Sequence, residues 1–180
     1  MAGWFRKGLS RHHTAIAMIG PKPGDRVLIA GASDPALAAE VALVTGLNGT
    51  TTVCDPDESA RATVDAAAAQ AGALVEFTAA PVTAPPAADE SQDVVVVMNA
   101  AAAVAAADPS LVLTQALRTL RPGGRVIVVD GARSGGFLRS TGGPPRLPAE
   151  EILSRLERAG TRARRQLADA EGIAYYEARK

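Results

Sequence analysis

An acid and an amide follow apolar runs of this sequence, at places where side chains could contact a ligand. Asp55 directly follows the run at residues 50–54, and a carboxylate there can accept hydrogen bonds from the hydroxyls of a ribose. The same carboxylate could instead cap a helix that begins at Asp57. Asn99 follows another apolar run, where its amide could contact a ligand or close a turn.

Two further groups of residues could contact a substrate. His12 and His13 lie on a predicted N-terminal helix and could face the molecule that reacts, with exposed surface histidines as the alternative. Arg133 lies in residues 131–148, which are rich in glycine and proline and could close over an anionic substrate or form a flexible linker. No cysteines and histidines have the spacing of metal ligands, so we predict no metal site and assign no catalytic base. Cys54 is predicted to be a small buried side chain.

Alternating apolar runs and helical stretches predict the elements that position these residues. Strands are predicted at residues 26–30, 50–54, 73–78, 93–98, 125–129, 161–167 and 173–178, and helices at 7–20, 35–44, 57–71, 109–120 and 149–159. The alternation predicts an α/β fold, in which a parallel sheet has helices on both faces and a C-terminal hairpin at one edge. We expect a single domain over residues 1–180, with an N-terminal helical cap at 1–20 and a flexible loop at 131–148.

The composition argues against several classes of function. Of the 180 residues 47% are hydrophobic and only 3% aromatic, so small aliphatic side chains must build the core. Lys and Arg together number 19, as do Asp and Glu, and this balance gives no reason to expect a nucleic-acid partner. No stretch is long and apolar enough to span a membrane or to form a signal peptide, so a soluble cytoplasmic protein is expected.

The order of these motifs resembles the class I S-adenosylmethionine-dependent methyltransferases over residues 7–180. The matching segments are PKPGDRVLIAG, TTTVCD, DESQDVVVVMN, LRTLRPGGRVIVVD and the ending AGTRARRQLADAEGIAYYEARK. A helix that runs through Leu-Arg-Pro-Gly-Gly into an apolar strand is the most distinctive of them. The resemblance implies a doubly wound, mostly parallel seven-stranded sheet of order 3-2-1-4-5-7-6, with an antiparallel C-terminal edge hairpin.

The resemblance also implies S-adenosylmethionine as the cofactor, although the first motif is degenerate. The implied cofactor-binding residues are Gly31, Ala32, Ser33, Asp55, Pro56, Ala80 and Asn99, of which Ala32 and Ala80 would use bare backbone N–H groups. The family's pattern acid-x-Gly-x-Gly-x-Gly falls on Ile29, Gly31, Ser33 and Pro35, so the acid and two glycines are missing. Asp34 could replace the acid towards the cofactor's ammonium, or could cap the helix at Pro35.

We therefore predict methyl transfer from S-adenosylmethionine to a small molecule, which needs positioning more than a catalytic base. The alternative is a non-catalytic binding or assembly protein with a vestigial cofactor pocket, which could form a homodimer through the hairpin at residues 161–180. A short-chain dehydrogenase would share VLIAGAS and the Tyr-x-x-x-Lys spacing of Tyr176 and Lys180. Those two residues end the chain, however, with no following helix to align them.

Overall fold

A computed structural model describes residues 12–99, 109–131 and 146–180. The strands are β1 Arg26–Ala30, β2 Thr50–Asp55, β3 Glu76–Ala79, β4 Gln92–Met98, β5 Leu120–Gly131, β6 Arg162–Ala170 and β7 Ile173–Arg179. The helices within the described ranges are α1 His13–Ile19, α2 Pro35–Thr45, α3 Ala60–Ala71, α4 Pro109–Thr119 and α5 Ala149–Arg158. Arg133, most of the predicted loop at 131–148 and the predicted cap before His12 lie outside the described residues.

The strands form one seven-stranded sheet of order β3-β2-β1-β4-β5-β7-β6. Strands β1 to β5 are parallel, whereas β7 is antiparallel to both of its neighbours. Glu171 and Gly172 join β6 to β7 with φ values of 55° and 83°, as expected for the tight turn that matches strand twist. The predicted fold class and strand order are thus confirmed.

Helices cover both faces of the sheet because its central strands are apolar on both sides. Along β1, Val27 and Ile29 pack on the face covered by α1, α2 and α3, and Leu28 and Ala30 pack on the face covered by α4 and α5. Strands β1, β2 and β4 are parallel neighbours, so their carboxyl ends lie side by side and form one edge of the sheet. We call this edge, from Gly31 through Asp55 to Asn99, the carboxyl edge.

Strand β5 begins earlier than predicted. Leu120 pairs with Gln92 and Arg125 pairs with Val94, so residues 121–124 bulge outward opposite a single residue of β4. Gly123 has a φ of 78°, and a Cβ on Gly124 would lie 2.9 Å from the carbonyl oxygen of Arg121. The proline–glycine turn predicted here is therefore a bulge within the strand.

Strand β6 is the edge strand of the C-terminal hairpin. Its exposed residues include Arg162, Arg164 and Arg165, and its pairing with β7 is irregular in two places. Charged side chains and bulges of this kind disfavour pairing with a second sheet edge. A homodimer through this hairpin stays a prediction, and the character of the strand argues against it.

Candidate functional site

Gly31 begins the turn between β1 and α2 and brings it close to β4. Its φ is 103°, and a Cβ in its place would lie 3.2 Å from Cβ of Met98. Its backbone N–H donates to the carbonyl oxygen of Cys54 at 2.8 Å, which extends the contact between β1 and β2 by one residue. A residue other than glycine would strain this turn and push it away from β4.

Asp55 holds three segments of the carboxyl edge together. Its Oδ2 accepts a hydrogen bond from the Ala32 N–H at 2.8 Å, and its Oδ1 accepts one from the Asp57 N–H at 2.9 Å. Its carbonyl oxygen accepts a hydrogen bond from the Ala80 N–H at 3.1 Å. Each carboxylate oxygen has a second lone pair, so the side chain can accept two further hydrogen bonds.

These bonds correct two expectations. The backbone N–H groups of Ala32 and Ala80 are not bare, because both donate to Asp55. The carboxylate of Asp55 does not cap a helix starting at Asp57, because α3 begins at Ala60 and its N-cap position is Ser59. The bond from Asp57 instead closes a local turn between β2 and α3.

Asp34 caps α2, as one of the two predictions for it proposed. Its Oδ1 accepts a hydrogen bond from the Leu37 N–H at 3.0 Å, and Pro35 occupies the first helical position. Its Oδ2 lies 3.0 Å from Nε2 of His12. Both carboxylate oxygens of Asp34 are therefore engaged within the protein.

The prediction of exposed histidines is wrong for His12, which is only 2% exposed, and right for His13. Nδ1 of His12 lies 2.8 Å from Oε1 of Glu40, so a carboxylate faces each ring nitrogen. We call His12, Asp34 and Glu40 the His12 cluster; it fastens the start of α1 to the turn after β1.

Sequence reasoning missed Glu40, although one pattern could have revealed it. Glu40 is the only charged residue in the run ALAAEVALV of α2, where its neighbours Ala39 and Val41 are buried. A lone acid in an apolar helix needs a partner from another element. The histidines of the preceding segment were the available candidates.

Asn99 directly follows β4 and has a left-handed backbone conformation. Its φ is 50°, in the left-handed region, and its N–H donates to the carbonyl oxygen of Val129 at 2.7 Å. Its Oδ1 is buried and has no hydrogen-bond partner within the part of the chain that the structure describes. Met98, the residue before Asn99, lies beside Gly31, so Asn99 stands at the carboxyl edge next to the turn after β1.

The remaining residues of the carboxyl edge are accessible. Ser33 and Pro56 are exposed, and Gly31, Asp55 and Ala80 are half-buried. Cys54, directly behind this edge, is fully buried, and burial followed by the charge of Asp55 raises the pKa of its thiol to about 12. The burial confirms the prediction that Cys54 is a small buried side chain.

The described residues form neither a metal-binding cluster nor a membrane-spanning helix. Over residues 12–99, 109–131 and 146–180, no three His, Cys, Asp or Glu side chains are grouped so as to hold a metal ion. Within the same ranges, no helix combines the length and the apolar character needed to cross a membrane.

The fold and the position of this edge define a class I Rossmann-like methyltransferase fold. A family model described as "Methyltransferase domain" matches residues 30–128, so the chain belongs to the methyltransferase domain family. Among solved structures, a SAM-dependent methyltransferase from Aquifex aeolicus is 19% identical with a TM-score of 0.77, over 95% of this chain and 90% of that one.

Two other solved structures have the same fold. A putative methyltransferase from Bacillus halodurans is 14% identical with a TM-score of 0.67, over 94% of this chain and 95% of that one. The [4+2]-cyclase SpnF is 21% identical with a TM-score of 0.67, over 93% of this chain and 78% of that one. No curated protein matches the chain.

Proposed function

We propose that this chain, as a single domain, binds S-adenosylmethionine at the carboxyl edge and transfers its methyl group to a small molecule. The observation that carries the proposal is the carboxylate of Asp55, which the N–H groups of Ala32 and Asp57 hold at the end of β2. Membership of the methyltransferase domain family supports methyl transfer as the type of reaction. The cofactor would supply a methyl group activated on a sulfonium.

The described residues fit an adenosyl group at the middle of the edge. Asp55 keeps two free lone pairs for the ribose hydroxyls, and exposed Pro56 lies directly beside it. Gly31 and Ala32 form a turn without bulky side chains, so the backbone of β1 can approach a ligand closely. Among the described residues, these features support the binding of the nucleoside part.

A small-molecule acceptor is the finer part of the proposal. Transfer from a sulfonium needs the acceptor atom in line with the methyl group, and it needs a base only if that atom must lose a proton. His13 is exposed next to the fastened His12, so it is our candidate for contact with the acceptor; Arg133 stays a candidate from the sequence. His12 itself is engaged with two carboxylates and would position α1.

Calorimetric titration with S-adenosylhomocysteine, the demethylated product, tests this proposal. Asp55→Asn keeps the shape of the side chain but removes its charge and half of its acceptors, so we expect binding to weaken about 10-fold to 100-fold. Asp65→Asn, which removes an exposed acid from α3, is the matched control and should bind like the wild type. Thermal unfolding of both variants checks that they are folded.

The alternative function predicts a different result. A non-catalytic binding or assembly protein with a vestigial pocket would show no binding to either S-adenosylmethionine or its product at millimolar concentration. If the wild type and Asp55→Asn bind S-adenosylhomocysteine with equal affinity, Asp55 does not contact the ligand. The proposed binding at the carboxyl edge would then be wrong.

A further inference from the structure

We infer that the side-chain oxygen of Asn99, and not an acid of the first motif, accepts the hydrogen bonds of the cofactor's ammonium group. This inference rests on the proposed function, because it assigns one part of the same ligand. It concerns recognition of the amino-acid end, whereas Asp55 would recognise the ribose.

The position of the family's usual acid cannot supply this contact. Ile29 occupies that position, and its side chain is buried against α1 and α2 in the core. An aliphatic side chain accepts no hydrogen bond. The ammonium therefore needs an acceptor from another residue.

Asp34 is the only acid in the turn after β1, and its acceptors are already engaged. One oxygen caps α2 through the Leu37 N–H, and the other faces Nε2 of His12. Movement of Asp34 towards a ligand would uncap the helix and leave the buried ring of His12 without one of its two carboxylates. These bonds make Asp34 a support for the turn.

Asn99, unlike Asp34, has a side-chain oxygen that is not engaged by another described residue. Its Oδ1 is buried without a partner among the described residues, and its backbone has a φ of 50°. A buried acceptor without a partner and a left-handed backbone both cost stability, and such features concentrate at ligand-binding sites. Met98, the residue before Asn99, packs beside Gly31, so Asn99 lies at the carboxyl edge next to the turn that follows β1.

The chemistry of the two groups is complementary. An ammonium offers three N–H donors and a positive charge, and an amide oxygen is a neutral acceptor with two lone pairs. Hydrogen bonds that involve a charged group are stronger than neutral ones. Binding would also relieve the unsatisfied state of Oδ1, which no other described residue relieves.

The test compares two ligands that differ only in the amino group: S-adenosylhomocysteine and its deamino analogue, which keeps the adenosine, sulfur and carboxylate. We expect the wild type to prefer S-adenosylhomocysteine about tenfold or more. Asn99→Gly should bind both ligands equally, because it removes the acceptor while suiting the positive φ. Asn99→Asp should bind S-adenosylhomocysteine at least as tightly as the wild type, because a carboxylate attracts the ammonium.

A matched control separates the side chain from the backbone. Glu90 also has a positive φ, 54°, at an exposed position, so Glu90→Gly makes the same change elsewhere and should leave the ligand preference unchanged. Ligand-free Asn99→Gly should unfold at the same temperature as the wild type or higher, since it loses both the strain and the unsatisfied oxygen. This second measurement needs no cofactor.

Three results would overturn the inference. A preserved preference in Asn99→Gly would show that the ammonium is bound elsewhere, as would weaker binding of S-adenosylhomocysteine by Asn99→Asp. A lower unfolding temperature of Asn99→Gly would show that the side chain serves stability. If the wild type binds neither ligand, the proposed function itself fails, which is distinct from binding of both ligands without discrimination.

Discussion

Side-chain interactions hold both ends of helix α1 against the rest of the protein. The residues that make these interactions differ between the two ends. At the start of α1, the buried imidazole of His12 lies between the carboxylates of Asp34 and Glu40, next to the turn after β1. At its end, the carbonyl oxygen of Gly20 accepts a hydrogen bond from Arg125 at 2.8 Å, and Arg125 pairs with Glu177. Glu177 also pairs with Arg165, so one anion lies between two cations. We call Arg125, Arg165 and Glu177 the Glu177 cluster.

The locations of the two clusters indicate which one contributes to stability alone and which one also supports the ligand site. The Glu177 cluster joins α1, β5, β6 and β7, and none of its residues lies on the carboxyl edge. The His12 cluster includes Asp34, which ends the turn proposed to contact the cofactor. Loss of the first should therefore affect folding alone, whereas loss of the second should affect folding and binding together.

The largest effect is expected from Glu177→Gln. The side chain of Glu177 is 6% exposed, and its loss of charge would leave Arg125 and Arg165 without an anion. We expect the free energy of unfolding to fall by about 3 kcal/mol, because Arg125, only 19% exposed, would stay mostly buried without its anion. Urea unfolding measures it. Glu157→Gln, which breaks an exposed pair with Arg164, is the control and should cost no more than about 1 kcal/mol.

Binding distinguishes the Glu177 cluster from the carboxyl edge. Glu177→Gln should bind S-adenosylhomocysteine with unchanged affinity at a temperature where it is folded. A tenfold loss of affinity would contradict the division between the two ends of α1.

A smaller loss of stability is expected from His12→Ala. The ring of His12 is buried, but Asp34 and Glu40 are 29% and 27% exposed and can regain water when it is removed. We expect unfolding to become easier by about 2 kcal/mol, near the lower end for hydrogen bonds to charged groups. His12→Gln should recover part of this loss, because its amide can donate to one carboxylate. His13→Ala changes an exposed neighbour and is the control.

We expect the substitution of His12 to weaken ligand binding as well as stability. The turn from Gly31 to Asp34 loses a support in His12→Ala, so affinity for S-adenosylhomocysteine should fall severalfold, in contrast to Glu177→Gln. If the affinity stays unchanged while the stability falls, the His12 cluster contributes to stability alone, as the Glu177 cluster does.

The fold was predictable from the sequence because its elements are encoded locally. Residues 93–97, Asp-Val-Val-Val-Val, form a β-branched run that suits a strand buried on both faces, and Asp34-Pro35 gives both the cap and the first residue of α2. The start of β5 was not predictable in this way. It depends on which residue of β4 pairs with Leu120, and that register is fixed by the assembled sheet.

The candidate site was predictable in position and only partly in its contacts. Asp55 could be found because an acid after the second strand of an α/β sheet must lie at the carboxyl edge. The burial of His12 depends on Glu40, 28 residues away, and the unsatisfied oxygen of Asn99 depends on the packing around β4. Both contacts depend on the assembled fold, so the sequence predicted that His12 could face the substrate and that Asn99 could contact a ligand, without predicting these partners.

The last prediction concerns the contribution of Glu177 to the pH dependence of stability. Burial alone would raise the pKa of Glu177, but hydrogen bonds from Arg165 and Arg125 outweigh it, so the pKa lies below its ordinary value of 4.5. A carboxyl group with a lowered pKa in the folded protein adds stability above pH 4.5, and this stability is lost as the pH falls through the lowered value. The wild type and Glu177→Gln should therefore approach each other in stability below pH 4.5. Other carboxylates with lowered pKa values, Asp57, Glu58 and Asp169, are exposed and common to both proteins, so they cancel in the difference. A constant difference between the two unfolding curves from pH 7 to pH 3, measured by urea unfolding, would mean that the charge of Glu177 contributes nothing to the fastening of α1.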